Sequence, residues 1–118
     1  MTALDGARIG VAAQALGIAE RALDESVKYM KERVQFGKPI AALQGLQWYI
    51  SDMATKIECA KWMIFRAAWL KVSGQPYSKE AAIAKLNASE TATFVTNLAL
   101  QIHGGYGYMK DYPLERMY

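Results

Sequence analysis

Side chains able to do chemistry are sparse in this 118-residue chain, which holds one histidine, His103, and one cysteine, Cys59. No Ser or Cys nucleophile stands in sequence-evident relation to His103, and a lone histidine is more often structural than catalytic. Two soft ligands cannot furnish the tetrahedral set of a structural zinc. The Glu-x-x-His pairs that hold a di-iron centre in helical bundles are absent. Two segments still concentrate suggestive residue types. Arg33-Val34-Gln35-Phe36-Gly37-Lys38-Pro39 carries cations into a turn, and Gln101-Ile102-His103-Gly104-Gly105-Tyr106-Gly107 is glycine-rich. Glycines let a ligand approach backbone N–H groups that a Cβ would screen. A helix C-terminus repels anions, so a phosphate at the second segment would need Arg33 or the N–H groups of the connector. That segment follows a helical pattern and not a strand, which removes the dinucleotide-binding reading. On composition and spacing alone, each segment is a helix stop.

The elements that must position these residues are helices. Prolines at 39, 76 and 113 cut the chain into helix-sized pieces. In the first, Ile9, Ala12, Leu16, Ala19, Leu23, Val27 and Met30 recur in steps of three and four, which predicts an amphipathic helix from about residue 4 to residue 34. Asp5 near its start suits the helix dipole, and Gly37-Lys38-Pro39 stops it. In the second, Leu43, Leu46, Ile50, Met53, Ile57, Ala60, Ile64 and Ala67 hold the same spacing. Trp62, Phe65 and Trp69 form another apolar stripe, turned away from Ile64 at about 100° per residue. Such a helix needs two partners. Gly74 and Pro76 close it.

The third helix starts at Ser78 as N-cap and ends at Gly104-Gly105, with Ala84, Ala88, Thr91, Val95, Leu98 and Ile102 along one face. Ala81, Ala82, Ala92 and Ala99 keep the remainder small, which predicts burial on several sides. Tyr112-Pro113-Leu114-Glu115-Arg116 reads as the first turn of a fourth helix, with proline at its first position. The expected fold is all-α: an up-down bundle of three long helices plus the start of a fourth.

Bulk properties narrow the function class. The chain is long enough for one core and too short for two. It is 53% hydrophobic and 21% charged with net charge +3, and its cations are interspersed with carboxylates, as in Lys28, Lys31, Glu32 and Arg33. No basic, aromatic-interleaved stripe is present to track nucleic-acid phosphates. No run approaches the roughly 18 apolar residues of a membrane span. No targeting pattern opens the chain. A single cysteine fits a reducing compartment.

The order of the segments carries more than any one of them. Leu4-Asp5-Gly6-Ala7-Arg8-Ile9-Gly10, Arg33-x-x-Phe36-Gly37-x-Pro39-Ile40, Gln44, Gln101 to Gly107 and Tyr112 to Arg116 together closely resemble the acyl-CoA dehydrogenase family. The resemblance covers essentially all 118 residues and matches that family's C-terminal four-helix bundle. Ala12-Ala13-Gln14-Ala15-Leu16-Gly17-Ile18-Ala19 looks most like the short-chain, butyryl-type branch.

The family desaturates acyl-CoA thioesters in fatty acid β-oxidation. A glutamate removes the α-proton, FAD accepts the β-hydride, and an electron-transferring flavoprotein reoxidises the flavin. The resemblance implies that Asp5, Gly6, Ala7 and Arg8 line the acyl-CoA channel. It implies that Arg33, Gln44, Gln101, Ile102, His103, Gly104 and Gly105 contact FAD, largely that of a neighbouring subunit in a homo-oligomer, a dimer or tetramer. An acyl-CoA oxidase would share these residues, and a non-enzymatic helical interaction module would use the glycines only as stops.

Two departures set further expectations. The family's usual base lies in a Tyr-Glu-Gly-Thr-like turn beyond the Glu-Arg segment, where this sequence has ended, so the domain is expected to be incomplete at its C-terminus. Other branches place the base on the first helix at the position of Ala7, and alanine takes no proton. No catalytic residue is therefore assigned, no metal is expected, and the isolated chain is expected to be inactive and to retain no FAD. The implied location is the cytoplasm in a bacterium or the mitochondrial matrix in a eukaryote.

Overall fold

A computed structural model describes residues 2–35 and 37–104. Three long helices dominate: α1 (Thr2–Glu32), α2 (Gln44–Val72) and α3 (Ser78–His103). Between α1 and α2 lies a small hairpin, β1 (Val34–Gln35) paired antiparallel with β2 (Lys38–Pro39), and then one 3-10 turn over Ile40–Ala42. The all-α up-down reading holds for the described residues, with this hairpin as an addition. The expected fourth helix, Tyr112 onward, lies outside the described residues.

α2 follows its sequence pattern closely. Met53, Ile57, Ala60, Ile64 and Ala67 are its buried residues, and Leu43, Leu46 and Ile50 pack half-buried at its N-terminal end. Its C-terminus is closed by a paired-bond cap: Gln75 N–H donates to Leu70 O at 2.9 Å and Gly74 N–H to Lys71 O at 3.1 Å. Gly74 sits at φ +74°, a conformation that costs glycine little and any Cβ-bearing residue more.

α1 buries mainly small side chains: Ala12, Ala19, Ala22 and Ser26 are fully buried, whereas Ile9, Leu16, Leu23 and Val27 are half-exposed. Small residues let α3 approach closely, and α1 with α3 forms the most extensive of the interhelical interfaces. Opposite them lie Ala84, Ala88, Val95 and Ala99 of α3, all fully buried. The hydroxyls this packing encloses are satisfied within their own helices, Ser26 Oγ donating to Ala22 O at 2.8 Å and Thr96 Oγ1 to Ala92 O at 2.7 Å. The core divides lengthwise into an alanine-rich cluster around Ala12, Ala60 and Ala88 and a larger cluster around Tyr29, Met53 and Val95.

Three expectations need correction. α1 ends at Glu32 and not near residue 34, because the Arg33 carbonyl accepts from Ile40 N–H at 2.8 Å and closes the hairpin. The N-cap of α3 is Tyr77, and Ser78 is the first helical residue, its hydroxyl donating to the Asp5 carboxylate of α1. α3 is also not enclosed on several sides, since Ile83, Leu86 and Ala82 are exposed. The aromatic stripe of α2 stays open: Trp62 and Trp69 are 58% and 61% exposed, and Trp48, two heptads before Trp62, is 62% exposed. No described helix is long and apolar enough to cross a membrane.

Candidate functional sites at the two ends of the bundle

The structure sorts the sequence-derived site residues into two groups. Asp5, Gly6, Ala7 and Arg8 occupy the N-terminal part of α1, beside the C-terminus of α2 and the start of α3. Arg33, Gln44, Gln101, Ile102, His103 and Gly104 all fall at the opposite end, where α1 and α3 finish and α2 begins. From Arg8 to Arg33 along α1 is about 37 Å at 1.5 Å per residue. The molecule measures 57 × 26 × 16 Å, so the two groups cannot share a compact site within one chain.

At the first end, Asp5 is 4% exposed, yet its carboxylate is well satisfied. It accepts from Ser78 Oγ and lies 3.6 Å from the Arg8 guanidinium. Burial of a carboxylate is tolerable only with such partners. Arg8 keeps 35% of its side chain exposed and Ala7 is exposed, so both can face a ligand. A Cβ at Gly6 would stand 3.2 Å from Lys71 Nζ, the flexible end of an exposed side chain that can give way. A cavity of about 520 Å³ opens beside this cluster, with Asp5, Lys71, Gly74, Tyr77 and Ser78 among its walls. Lys71, Tyr77 and Ser78 were not singled out from sequence as site residues. Nothing local marks them, because their proximity to Asp5 depends on how helices distant in sequence pack.

At the second end, Arg33 is half-buried and held by its backbone, its N–H donating to Tyr29 O at 2.9 Å. Gln44 and Gln101 are exposed amides, one opening α2 and one in the last turn of α3. Gly104, exposed at φ +58°, terminates α3. Ile102 and His103 are buried, so their side chains serve packing and only their backbone could reach a ligand. Gly105 lies outside the described residues.

His103 is the buried polar group of this end. Its ring stacks on Tyr29 with centroids 4.3 Å apart, and Nδ1 lies 2.9 Å from Ala99 O. The carbonyl can only accept, so Nδ1 carries a proton and donates it. Burial lowers its pKa below 6.5, opposed by the Ala99 bond and by Glu25. The unfolded chain therefore binds this proton more readily. The stability it confers is present above about 6.5 and is lost as the pH falls through the lower folded value. Urea midpoints should drop from pH 7.5 to 5.5, and His103→Gln should flatten that drop. Equal pH slopes in the two proteins would contradict this assignment.

Cys59 is exposed and solitary, and among the described residues no group of three or more His, Cys, Asp or Glu is placed to hold a metal. The described residues present a cation-bearing cavity at one end, and a guanidinium, two amides and a glycine terminus at the other.

Comparison with known proteins places this arrangement. The family model for the acyl-CoA dehydrogenase C-terminal domain matches residues 1–118. An acryloyl-CoA reductase (NADH) from Anaerotignum propionicum is 72% identical over 100% of this chain and 30% of its own length. A short-chain specific acyl-CoA dehydrogenase from Clostridium acetobutylicum is 56% identical over 99% of this chain and 31% of its own. The solved butyryl-CoA dehydrogenase of Megasphaera elsdenii superposes with a TM-score of 0.97 at 52% identity, over 99% of this chain and 30% of that one. The chain thus spans about 30% of the length of the relatives it matches.

Proposed function

Since the chain belongs to the acyl-CoA dehydrogenase family, as its C-terminal domain, we propose that it is the helical domain of an FAD-dependent enzyme that desaturates short-chain acyl-CoA thioesters between Cα and Cβ. The observation that carries this reading is the family match over residues 1–118, together with the motif residues gathered at the two bundle ends. Asp5, Gly6, Ala7 and Arg8 form one wall of the acyl-CoA channel. Arg33, Gln44 and the stretch Gln101 to Gly105 hold FAD, and an electron-transferring flavoprotein is the redox partner.

The described residues fit that cofactor. Arg33 offers a permanent charge and a planar fork suited to a pyrophosphate, on a backbone fixed at both its N–H and C=O. Gln44 and Gln101 offer exposed amides that can donate and accept. When bound, FAD supplies the two-electron hydride acceptor. Separation of the two ends favours a division of labour, with the Asp5 end serving its own subunit and the Arg33 end serving a neighbour. The acryloyl-CoA reductase relative, at 72% identity, favours a second reading in which the same bond is hydrogenated.

Each group is one wall of a site, so the isolated chain should purify colourless. It should show no butyryl-CoA-dependent reduction of an artificial acceptor with added FAD. A stoichiometric flavin spectrum after gel filtration, or turnover above a heat-killed control, would refute that division.

A further inference from the structure

Arg33 and Gln44 bracket the connector between α1 and α2, residues 34–43, and that connector sets how the two side chains stand to one another. Its backbone is tied at the Arg33 end, where the N–H of buried Ile40 donates to Arg33 O at 2.8 Å. At the other end α2 starts without a side-chain cap, because its N-cap is Leu43, which has no group to offer. Gln47, one turn into α2, reaches back over this start, and its Nε2 donates to Ala41 O at 2.8 Å. The same side chain lines a cavity of about 200 Å³, where Val27 and Met30 of α1, with Ala41 and Ile50, supply apolar walls. Leucine would pack against those walls at least as well. What glutamine adds is an N–H held on the turn that carries Ile40.

We propose that Gln47 is a positioning residue of the flavin site, fixing the connector so that the Arg33 guanidinium is held in place before FAD arrives. This rests on the FAD reading above. Gln47 acts without touching the cofactor. Its amide holds Ala41, the adjacent Ile40 N–H holds the Arg33 carbonyl, and the Arg33 N–H is held in turn by Tyr29 O at 2.9 Å. A loop that must order as its ligand binds subtracts that ordering from the affinity, and a connector tied beforehand does not. The Gln47 bond is exposed and uncharged, so its effect is that of one ordinary hydrogen bond.

In the 118-residue chain, Gln47→Leu should speed amide hydrogen exchange at Ile40 roughly threefold to tenfold and leave that at Ala88, in the other core cluster, unchanged. FAD affinity is read in a chimera, with this chain in place of the matching stretch of the Megasphaera elsdenii butyryl-CoA dehydrogenase. There Gln47→Leu should weaken FAD by a similar factor, roughly threefold to tenfold. The penalty should vanish in an Arg33→Ala background, because Gln47 acts through that guanidinium. Unchanged Ile40 exchange, or FAD held by Gln47→Leu as tightly as by the unmodified chimera, would refute the positioning role, and weak FAD binding by Arg33→Ala alone would then leave the flavin reading standing. A Gln47→Leu penalty that persists in full beside Arg33→Ala would also overturn it, since Gln47 would be acting elsewhere. An unmodified chimera that takes up no FAD would bring down the flavin reading and this role with it.

Discussion

Arg33→Ala should strip the flavin from the assembled enzyme. The measurement is made in a chimera, with this chain replacing the matching stretch of the Megasphaera elsdenii butyryl-CoA dehydrogenase, whose fold it shares at a TM-score of 0.97. The relative supplies everything outside the matched residues. Arg33 is the one cation among the described FAD-contact candidates, and its backbone is fixed on one side by Tyr29 of α1 and on the other by Ile40 after the hairpin. A charge-assisted, bidentate contact is worth about 1.5–3 kcal/mol, so its loss should weaken FAD by roughly tenfold to a hundredfold. Lys at this position should recover part of the affinity, since it keeps the charge and loses the fork. Flavin content after gel filtration and a fluorescence titration with FAD provide the readout. An Arg33→Ala chimera that holds FAD as tightly as the unmodified one would remove this residue from the flavin site.

The second large effect concerns assembly. Trp48, Trp62 and Trp69 stand at heptad spacing on the open face of α2, with Phe65 edge-on to Trp62 at 5.6 Å between ring centroids. All four are at least 48% exposed. Burying a large aromatic side chain gains about 1.5–3 kcal/mol, and a stripe of this length is more than a monomer ordinarily leaves open. A two-fold interface is the simplest cover because it matches the stripe with itself. The chain is therefore expected to self-associate, and Trp62→Ser with Trp69→Ser to dissociate it. The double variant removes four indoles per dimer. Even with partial burial that costs about 3 kcal/mol or more, at least a hundredfold in dissociation constant. Sedimentation across a concentration series measures it. A monomer at high concentration, with mass unchanged by the substitutions, would refute the interface.

Periodicity made α2 legible in advance, because its buried stripe is set by residues three and four apart on one rigid element. The same logic located α1 and α3 and the two glycine-marked ends. It overran the end of α1, since the Val34–Gln35 and Lys38–Pro39 strands are too short to leave a two-residue period. Ser78 shows a different limit. Its residue type suits an N-cap, but its hydroxyl bonds Asp5, 73 residues away, and that choice depends on helix packing. Lys71 over Gly6 is non-local in the same way. At the Arg33 end, family resemblance points to the residues and burial divides them. Arg33, Gln44, Gln101 and Gly104 are at least partly accessible, whereas Ile102 and His103 are enclosed.

On the function proposed above, these residues complete an acyl-CoA dehydrogenase when joined to the rest of that fold. Anaerobic addition of butyryl-CoA to the unmodified chimera, followed in the flavin absorbance band, tests it most directly. The chimera should retain FAD and bleach on mixing. A folded, correctly assembled chimera that holds no flavin, or whose flavin butyryl-CoA leaves oxidised, would contradict it.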